Sequence, residues 1–189
     1  MTAADRTHEA RTQVRVTVAG TGAVNVATGV SVLDHLLGLL ARYASFDLAL
    51  EVAPGDPEEE VRAAGRAFGE ALAEPLRVVG RRGHGSAVVP SAEALAHVTL
   101  EASDEPLLVS NVDLSGARLG GMATDVVASF LHEFVDGASL TLHVRLVDGS
   151  DTQHVLEAIF KALGVALAQA CRPRRGKEEP HDETDRRQD

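Results

Sequence analysis

The strand and helix patterns of this chain occur twice in the same order. In the first half, the alternating stretches QVRVTVAG and GAVNVAT precede the helix-spaced VSVLDHLLGLLARYA, and the alternating FDLALEVA precedes the helix-spaced EEEVRAAGRAFGEALAEPL. In the second half, strand patterns in SAVVP, ALAHVTLEA and PLLVSNVDL precede the helix pattern ATDVVASFLHEFVDGA; the strand pattern SLTLHVRLV then precedes the helix pattern DTQHVLEAIFKALGVALAQA. Aligning Phe46 with Ser139 and Glu59 with Gln153 gives an offset of about 94 residues, which indicates an internal repeat. The repeat predicts an α+β fold with two similar halves, each a small β-sheet with two helices on one face.

The two halves are predicted to form one domain over residues 1–171, with the repeats at about 6–82 and 83–171. The stretch that follows, RPRRGKEEPHDETDRRQD, has almost no apolar residues and carries mixed charge. Segments of this composition cannot bury enough apolar surface to offset the entropy of folding. We therefore expect residues 172–189 to form a disordered tail.

The bulk composition restricts the partners and the compartment. The 189-residue chain has a net charge of −10, which disfavours binding to nucleic acid because phosphate neutralisation needs clustered Lys and Arg. No apolar run reaches the roughly 18 residues of a membrane span, and the first residues lack the apolar core of a signal peptide. The single cysteine, Cys171, excludes an internal disulfide and fits a reducing compartment. We expect a cytoplasmic protein without nucleic-acid or membrane partners.

One helix face carries groups suited to a metal and an anion. His154, Glu157 and Lys161 are spaced by three and four residues, so they share a face of the last predicted helix. An imidazole and a carboxylate one turn apart can ligate the same metal ion, and the ammonium suits an anionic substrate. A solvated helix face is the alternative interpretation of the same spacing. At the equivalent place the first half reads EEEVR, and its Arg62 would repel a metal ion.

Several motifs, taken in order, resemble a known family. TGVSVLDHLL resembles the pattern T-G-x-x-F-L-D-H-M-L, and HVLEAIFKAL resembles H-H-x-x-E-A-x-F-K-A. RTHEA, VPSAEALA and SLTLHV provide weaker similarities at matching intervals. Over roughly residues 6–171 the chain thus resembles imidazoleglycerol-phosphate dehydratase, a lyase of histidine biosynthesis that removes water from imidazole glycerol phosphate.

The resemblance implies a site and an assembly. Enzymes of the family hold two manganese ions between subunits with two H-H-x-x-E motifs and two further histidines, and the substrate imidazole, bound as imidazolate, acts as an electron sink. Their chains form trimers that build a 24-subunit particle. The positions that this chain retains are catalytic Glu9, His35 and Glu157, metal-binding His35, His154 and Glu157, and substrate-binding Lys161, which contacts phosphate in the family. Arg82, one residue from an aligned phosphate-binding arginine, is a further substrate-binding candidate.

Other family positions are substituted. The first metal motif aligns with EEEVR after a deletion of about four residues, judged by its spacing to the following Gly69. Gln153 replaces the first histidine of the second motif, and Ser129 replaces a further histidine. Gly83 aligns with one phosphate-binding arginine of the family, and Arg82 is its neighbour. Glu105 aligns with another, so a side chain that attracts phosphate is replaced by one that repels it.

These substitutions predict a catalytically degenerate, metal-free homologue. His35, His154 and Glu157 alone do not complete two octahedral sites, even when subunits share them. We expect a homo-oligomer, either a trimer or a 24-subunit particle, with a small phosphorylated molecule as its candidate ligand. One alternative is an active dehydratase that binds manganese through a rebuilt site containing Glu58 or Glu59. Another is a binding or assembly partner of the active enzyme.

Two residues carry separate expectations. The neighbours of His35 are leucines, so the sequence favours a hydrogen-bonded histidine within the core. If Lys161 faces a cavity or solvent and does not pair within the core, Lys161→Ala should change stability by less than about 0.5 kcal/mol. A much larger loss would show that Lys161 has become a structural ion-pair partner, for instance of Glu105.

Overall fold

The computed structural model describes residues 12–113, 118–119, 122–123 and 125–174. The first half contains β1 (Gln13–Thr17), β2 (Val24–Ala27), α1 (Ser31–Ala44), β3 (Asp47–Glu51) and α2 (Pro57–Arg77). The second half contains β4 (His84–Ser91), β5 (Ala94–Ala102), β6 (Leu107–Ser110), β7 (Arg118–Leu119), β8 (Met122–Ala123), α3 (Asp125–Ala138), β9 (Leu140–Asp148) and α4 (Thr152–Ala170). The predicted α+β class is confirmed.

The two main sheets share one topology. In the first, β3 lies between antiparallel β1 and parallel β2. In the second, β9 lies between antiparallel β5 and parallel β6, and β4 adds a fourth strand beside β5. The equivalence of β1, β3 and β2 to β5, β9 and β6 agrees with a duplicated fold. A short antiparallel pair, β7 and β8, was not predicted from the sequence.

Matching backbone features fix which residues are equivalent. Ser45 and Ser139, which follow α1 and α3, both adopt a left-handed conformation, with φ of 55° and 52°. Asp56 and Asp151 cap α2 and α4, and their carboxylates accept the backbone N–H of Glu58 and His154. The offsets are therefore 94 (139 − 45) and 95 (151 − 56), close to the offset predicted from the sequence.

The four helices lie between the two sheets, with α1 packed on α4 and α2 packed on α3. Each helix contact thus joins one half to the other. Glycines let the helices approach closely, because a Cβ on Gly69 or Gly164 would collide with the carbonyl oxygen of Phe134 or Leu40. Four stacked or tilted phenylalanines fill the centre, namely Phe68, Phe130, Phe134 and Phe160.

The chain beyond α4 remains hydrogen-bonded as far as Arg174. Pro173 pairs with Arg81, and the backbone N–H of Arg82 donates to the carbonyl of Arg172 at 2.9 Å. The remaining part of the predicted tail, 175–189, lies outside the described residues. Within the described ranges, no helix is both long enough and apolar enough to cross a membrane.

Candidate functional site

Glu157 of α4 is the centre of a polar cluster. His35 Nε2, on α1, lies 3.1 Å from Glu157 Oε1, and the Gln153 amide donates to the same oxygen at 3.0 Å. The hydroxyl of Ser91, at the end of β4, donates to Glu157 Oε2 at 2.8 Å. Lys161 Nζ lies 3.7 Å from Oε2. We call these five residues the Glu157 cluster; both carboxylate oxygens in it have protein partners.

The cluster stabilises the ionised form of Glu157. Hydrogen bonds from Gln153, Ser91 and His35, together with the positive charge of Lys161, lower the pKa of Glu157 to about 2 despite its partial burial. The side chains of Glu157 and Lys161 are each only 14 % exposed. The carboxylate therefore remains charged at neutral pH, with an ammonium as its neighbour.

Lys161 belongs to this cluster and does not face open solvent. Its Nζ donates to Ser91 Oγ at 2.8 Å and lies 5.8 Å from the centre of the Tyr43 ring. The condition under which Lys161 would be dispensable is therefore not met, and its carboxylate partner is Glu157 in place of Glu105. The reason is a tertiary contact, because the end of β4 places the buried Ser91 against α4.

Replacing Lys161 should destabilise the protein measurably. Lys161→Ala removes the partner of a largely buried carboxylate, and we expect a loss of about 1–3 kcal/mol in the free energy of unfolding. Lys161→Met is the matched variant, since it retains the apolar stem but not the charge. Urea denaturation of both variants separates charge from packing. A loss below about 0.5 kcal/mol for both would place Lys161 among ordinary surface residues.

His154 has a different partner. Its Nδ1 lies 2.5 Å from Glu93 Oε2, and Glu93 Oε1 accepts the backbone N–H of Asp151 at 3.1 Å. The pKa of Glu93 is lowered, mainly because its carboxylate accepts hydrogen bonds from the backbone N–H groups of Glu93 and Asp151. The hydrogen bond with His154 lowers it further. Sequence reasoning missed both Glu93 and Ser91. The similarity of VPSAEALA to the family pattern marked this turn but gave its residues no roles.

His35 is on the surface of α1. Its side chain is 50 % exposed, whereas Leu36 and Leu37 are buried. The interpretation of His35 as a core histidine is therefore wrong. The helix turns its leucines inward and leaves the imidazole beside Glu157.

Among the described residues, Arg82 does not join the Glu157 cluster. Arg82 lies beside Arg172, beyond the far end of α4, and its guanidinium is 3.4 Å from His84 Nε2. Glu157 and Arg172 are separated along the helix by about 15 residues, or roughly 22 Å. Glu9 lies outside the described residues. His35, Glu157 and Lys161 are thus brought together, with His154 one turn away and Arg82 remote.

The equivalent place in the first half has the opposite arrangement of charge. Arg62 lies six residues after the cap Asp56, as Glu157 lies six after Asp151. Arg62 Nε is 3.8 Å from Glu133 Oε1 of α3, and Arg66 Nη2 donates to Glu133 Oε2 at 2.6 Å. We call Arg62, Arg66 and Glu133 the Glu133 cluster. Its arginines occupy the face that would carry metal ligands.

The donors that the structure describes do not fit a pair of manganese ions. Among the residues that the structure describes, no group of three or more His, Cys, Asp or Glu side chains is placed to hold a metal ion. At Glu157 a cation would have to displace hydrogen bonds beside the Lys161 ammonium. At Glu133 it would meet two guanidinium groups. Glu58 and Glu59 are exposed in the first turn of α2.

Comparisons with known proteins agree on one family. The family model described as imidazoleglycerol-phosphate dehydratase matches residues 28–167. The imidazoleglycerol-phosphate dehydratase of Syntrophobacter fumaroxidans is 43% identical over 171 residues, covering 88% of this chain and 86% of that protein.

Two solved structures share the fold. The crystal structure of imidazoleglycerol-phosphate dehydratase from Staphylococcus aureus has a TM-score of 0.79 and 30% identity, covering 86% of this chain and 94% of that one. The Pyrococcus furiosus structure, in complex with (S)-C348, has a TM-score of 0.74 and 26% identity, covering 90% and 94%. The matched family model, the sequence identity and the duplicated fold together show that this chain belongs to the imidazoleglycerol-phosphate dehydratase family of histidine biosynthesis.

Proposed function

We propose that this chain is a catalytically inactive member of its family, a cytoplasmic homo-oligomer that keeps the fold without manganese. The observation that carries the proposal is the fixed cation at the first motif. Arg62 occupies the position equivalent to Glu157 in the first half, and its Nε lies 3.8 Å from Glu133 Oε1 of α3. The chain retains the scaffold, but its charges oppose the metal chemistry of the family.

The loss of metal would remove the main source of catalysis. Dehydration of imidazole glycerol phosphate needs an electron sink, which in the family is an imidazolate held by the metals. Each lost electrostatic contact of this kind costs roughly 10²–10³ in rate. The substitution of Glu105 for a phosphate-binding arginine adds repulsion where attraction is needed.

The test is growth of a histidine auxotroph that lacks its dehydratase. We expect no growth on minimal medium when this chain is expressed, whereas the Syntrophobacter fumaroxidans relative provides the positive control. Immunoblotting confirms that both proteins are made. The purified chain should likewise release no imidazoleacetol phosphate in the presence of manganese. Growth at the rate of the control would establish the alternative, an active enzyme with a rebuilt site.

We expect the assembly to be a trimer in the presence of chelator. The outer face of the second sheet exposes Val88, Leu107 and Val147, each more than half exposed, which is typical of an apolar contact surface. In the family, metals bridge the contacts between trimers. In this chain the same contacts would bring Glu58 and Glu59 close to the equivalent carboxylates of other subunits, and these like charges repel each other. Light scattering in chelator at moderate salt measures the mass. A 24-subunit particle that forms only when manganese is added would contradict both the assembly and the metal-free proposal.

A further inference from the structure

Two polar clusters, each built on a carboxylate, join the halves of the molecule at equivalent places. The Glu157 cluster connects α4 of the second half to α1 of the first through His35. The Glu133 cluster connects α3 of the second half to α2 of the first through Arg62 and Arg66. By the pseudo-symmetry of the fold, α1 corresponds to α3 and α2 to α4. Each helix contact between the halves therefore carries one cluster.

The two clusters have opposite polarity. In one, the carboxylate lies on the helix that carries the motif, at Glu157, and the imidazole lies on its partner helix. In the other, the motif helix carries Arg62 and the carboxylate lies on α3 at Glu133. Glu133 is one turn beyond Ser129, the position that corresponds to His35. The contact between α2 and α3 therefore has its own pair of residues and does not repeat the His35–Glu157 pair of α1 and α4.

Both carboxylates are placed where an ion pair can contribute to stability. Their side chains are 14 % and 16 % exposed, whereas His35, Arg62 and Arg66 are between 47 % and 62 % exposed. Arg66 contacts one Glu133 oxygen through both Nε, at 3.0 Å, and Nη2, at 2.6 Å. Partial burial of the carboxylate reduces screening by solvent, which makes such pairs stronger than those on an open surface.

We infer that these clusters are metal-independent bridges between the halves, which occupy the places where the family's motifs would hold manganese. The inference goes beyond the loss of activity, because it assigns the retained His35 and Glu157 and the substituted Arg62 a role in holding the two halves together. It depends on the contacts within one chain, so it can fail while the chain remains inactive, and it can hold even if some turnover is found.

Double-mutant cycles, followed by thermal unfolding in chelator, test the bridges. One cycle uses Arg66→Gln and Glu133→Gln, and the other uses His35→Gln and Glu157→Gln. We expect Glu133→Gln and Glu157→Gln each to lower Tm by about 5 °C. Each double variant should lose clearly less than the sum of its two single variants. Arg15→Gln is the matched control, because this exposed arginine of β1 makes no ion pair among the described residues, and its Tm should change by less than about 1 °C.

Addition of manganese alone tests whether the bridges are independent of metal. Manganese in excess over protein should leave the Tm of the unaltered chain where it is in chelator. Additive losses in both cycles would overturn the bridges. A rise in Tm on adding manganese would overturn their independence of metal, since a ligand that binds the folded state raises its stability. Because glutamine retains the size of glutamate, the variants change charge with little loss of packing. The Glu133 cycle also lies outside the core, so it remains measurable if the Glu157 variant unfolds.

Discussion

Gly164→Ala should be among the most destabilising single methyl additions in the helices. The added Cβ would collide with the carbonyl oxygen of Leu40, and it would lie 3.1 Å from the carbonyl carbon of Leu40 and 3.2 Å from the backbone nitrogen of Ala44. These are backbone atoms, so no side chain can rotate away and α1 must separate from α4. Overpacking of this kind costs about 3 kcal/mol. Chemical denaturation of the purified variant measures the loss.

Gly38→Ala provides the matched control, because it adds the same methyl group to another buried helical glycine. The nearest atom to its Cβ is a guanidinium nitrogen of Arg42 at 3.6 Å, which is ordinary contact with a flexible group. Alanine favours a helix over glycine by up to about 1 kcal/mol, so this variant should be neutral or more stable. Equal effects at Gly38 and Gly164 would show that the close approach of α1 and α4 is not what requires glycine.

Glu157→Ala should have an effect of similar size for an electrostatic reason. It leaves the Lys161 ammonium, only 14 % exposed, without its carboxylate, and it removes the acceptor for Ser91 and Gln153. Removing one partner of a buried pair costs about 3 kcal/mol. The double variant Glu157→Ala with Lys161→Met should recover part of that loss, since the uncompensated charge is gone. Urea denaturation of the three proteins tests this, and no recovery in the double variant would show that hydrogen bonding dominates.

The same carboxylate predicts acid sensitivity. The pKa of Glu157 is lowered from 4.5 in the unfolded chain to about 2 in the folded protein, so its contribution is fully present above pH 4.5 and is lost as the pH falls through 2. The contribution is on the order of 3 kcal/mol. Between pH 5 and pH 2 the stability of Glu157→Gln should therefore fall less steeply than that of the unaltered chain. The same dependence of stability on pH in the two proteins would contradict the lowered pKa of Glu157.

The order of elements followed from local patterns. Strong alternation in the strands and long apolar periodicity in the helices predicted β5 with the observed bounds, Ala94–Ala102, and α4 nearly so. The pair β7 and β8 has only two residues in each strand, too few to produce a periodic signal. The repeat itself was visible because the helices recur after nearly equal intervals.

The site was predictable only in part. The spacing predicted that Glu157 and Lys161 share one helix face, and the family resemblance predicted that His35 belongs to the same site. The partners Ser91 and Glu93 depend on how the turn between β4 and β5 lies across the start of α4. Contacts of that kind connect residues 61 to 70 positions apart, and no local pattern encodes them. The pairing of Arg62 and Arg66 with Glu133 was hidden for the same reason.

The reversed polarity of the two bridges also discriminates between correct and incorrect association. Two similar halves in one chain could each pair with a copy of itself, which would exchange domains between molecules. If two first halves met in this way, His35 would face Arg62; if two second halves met, Glu133 would face Glu157. The first pairing would leave His35 and Arg62 without a carboxylate, and the second would oppose two carboxylates. Only the union of a first half with a second half gives each carboxylate a partner on the facing helix, so the pattern favours the intramolecular fold over self-association of either half.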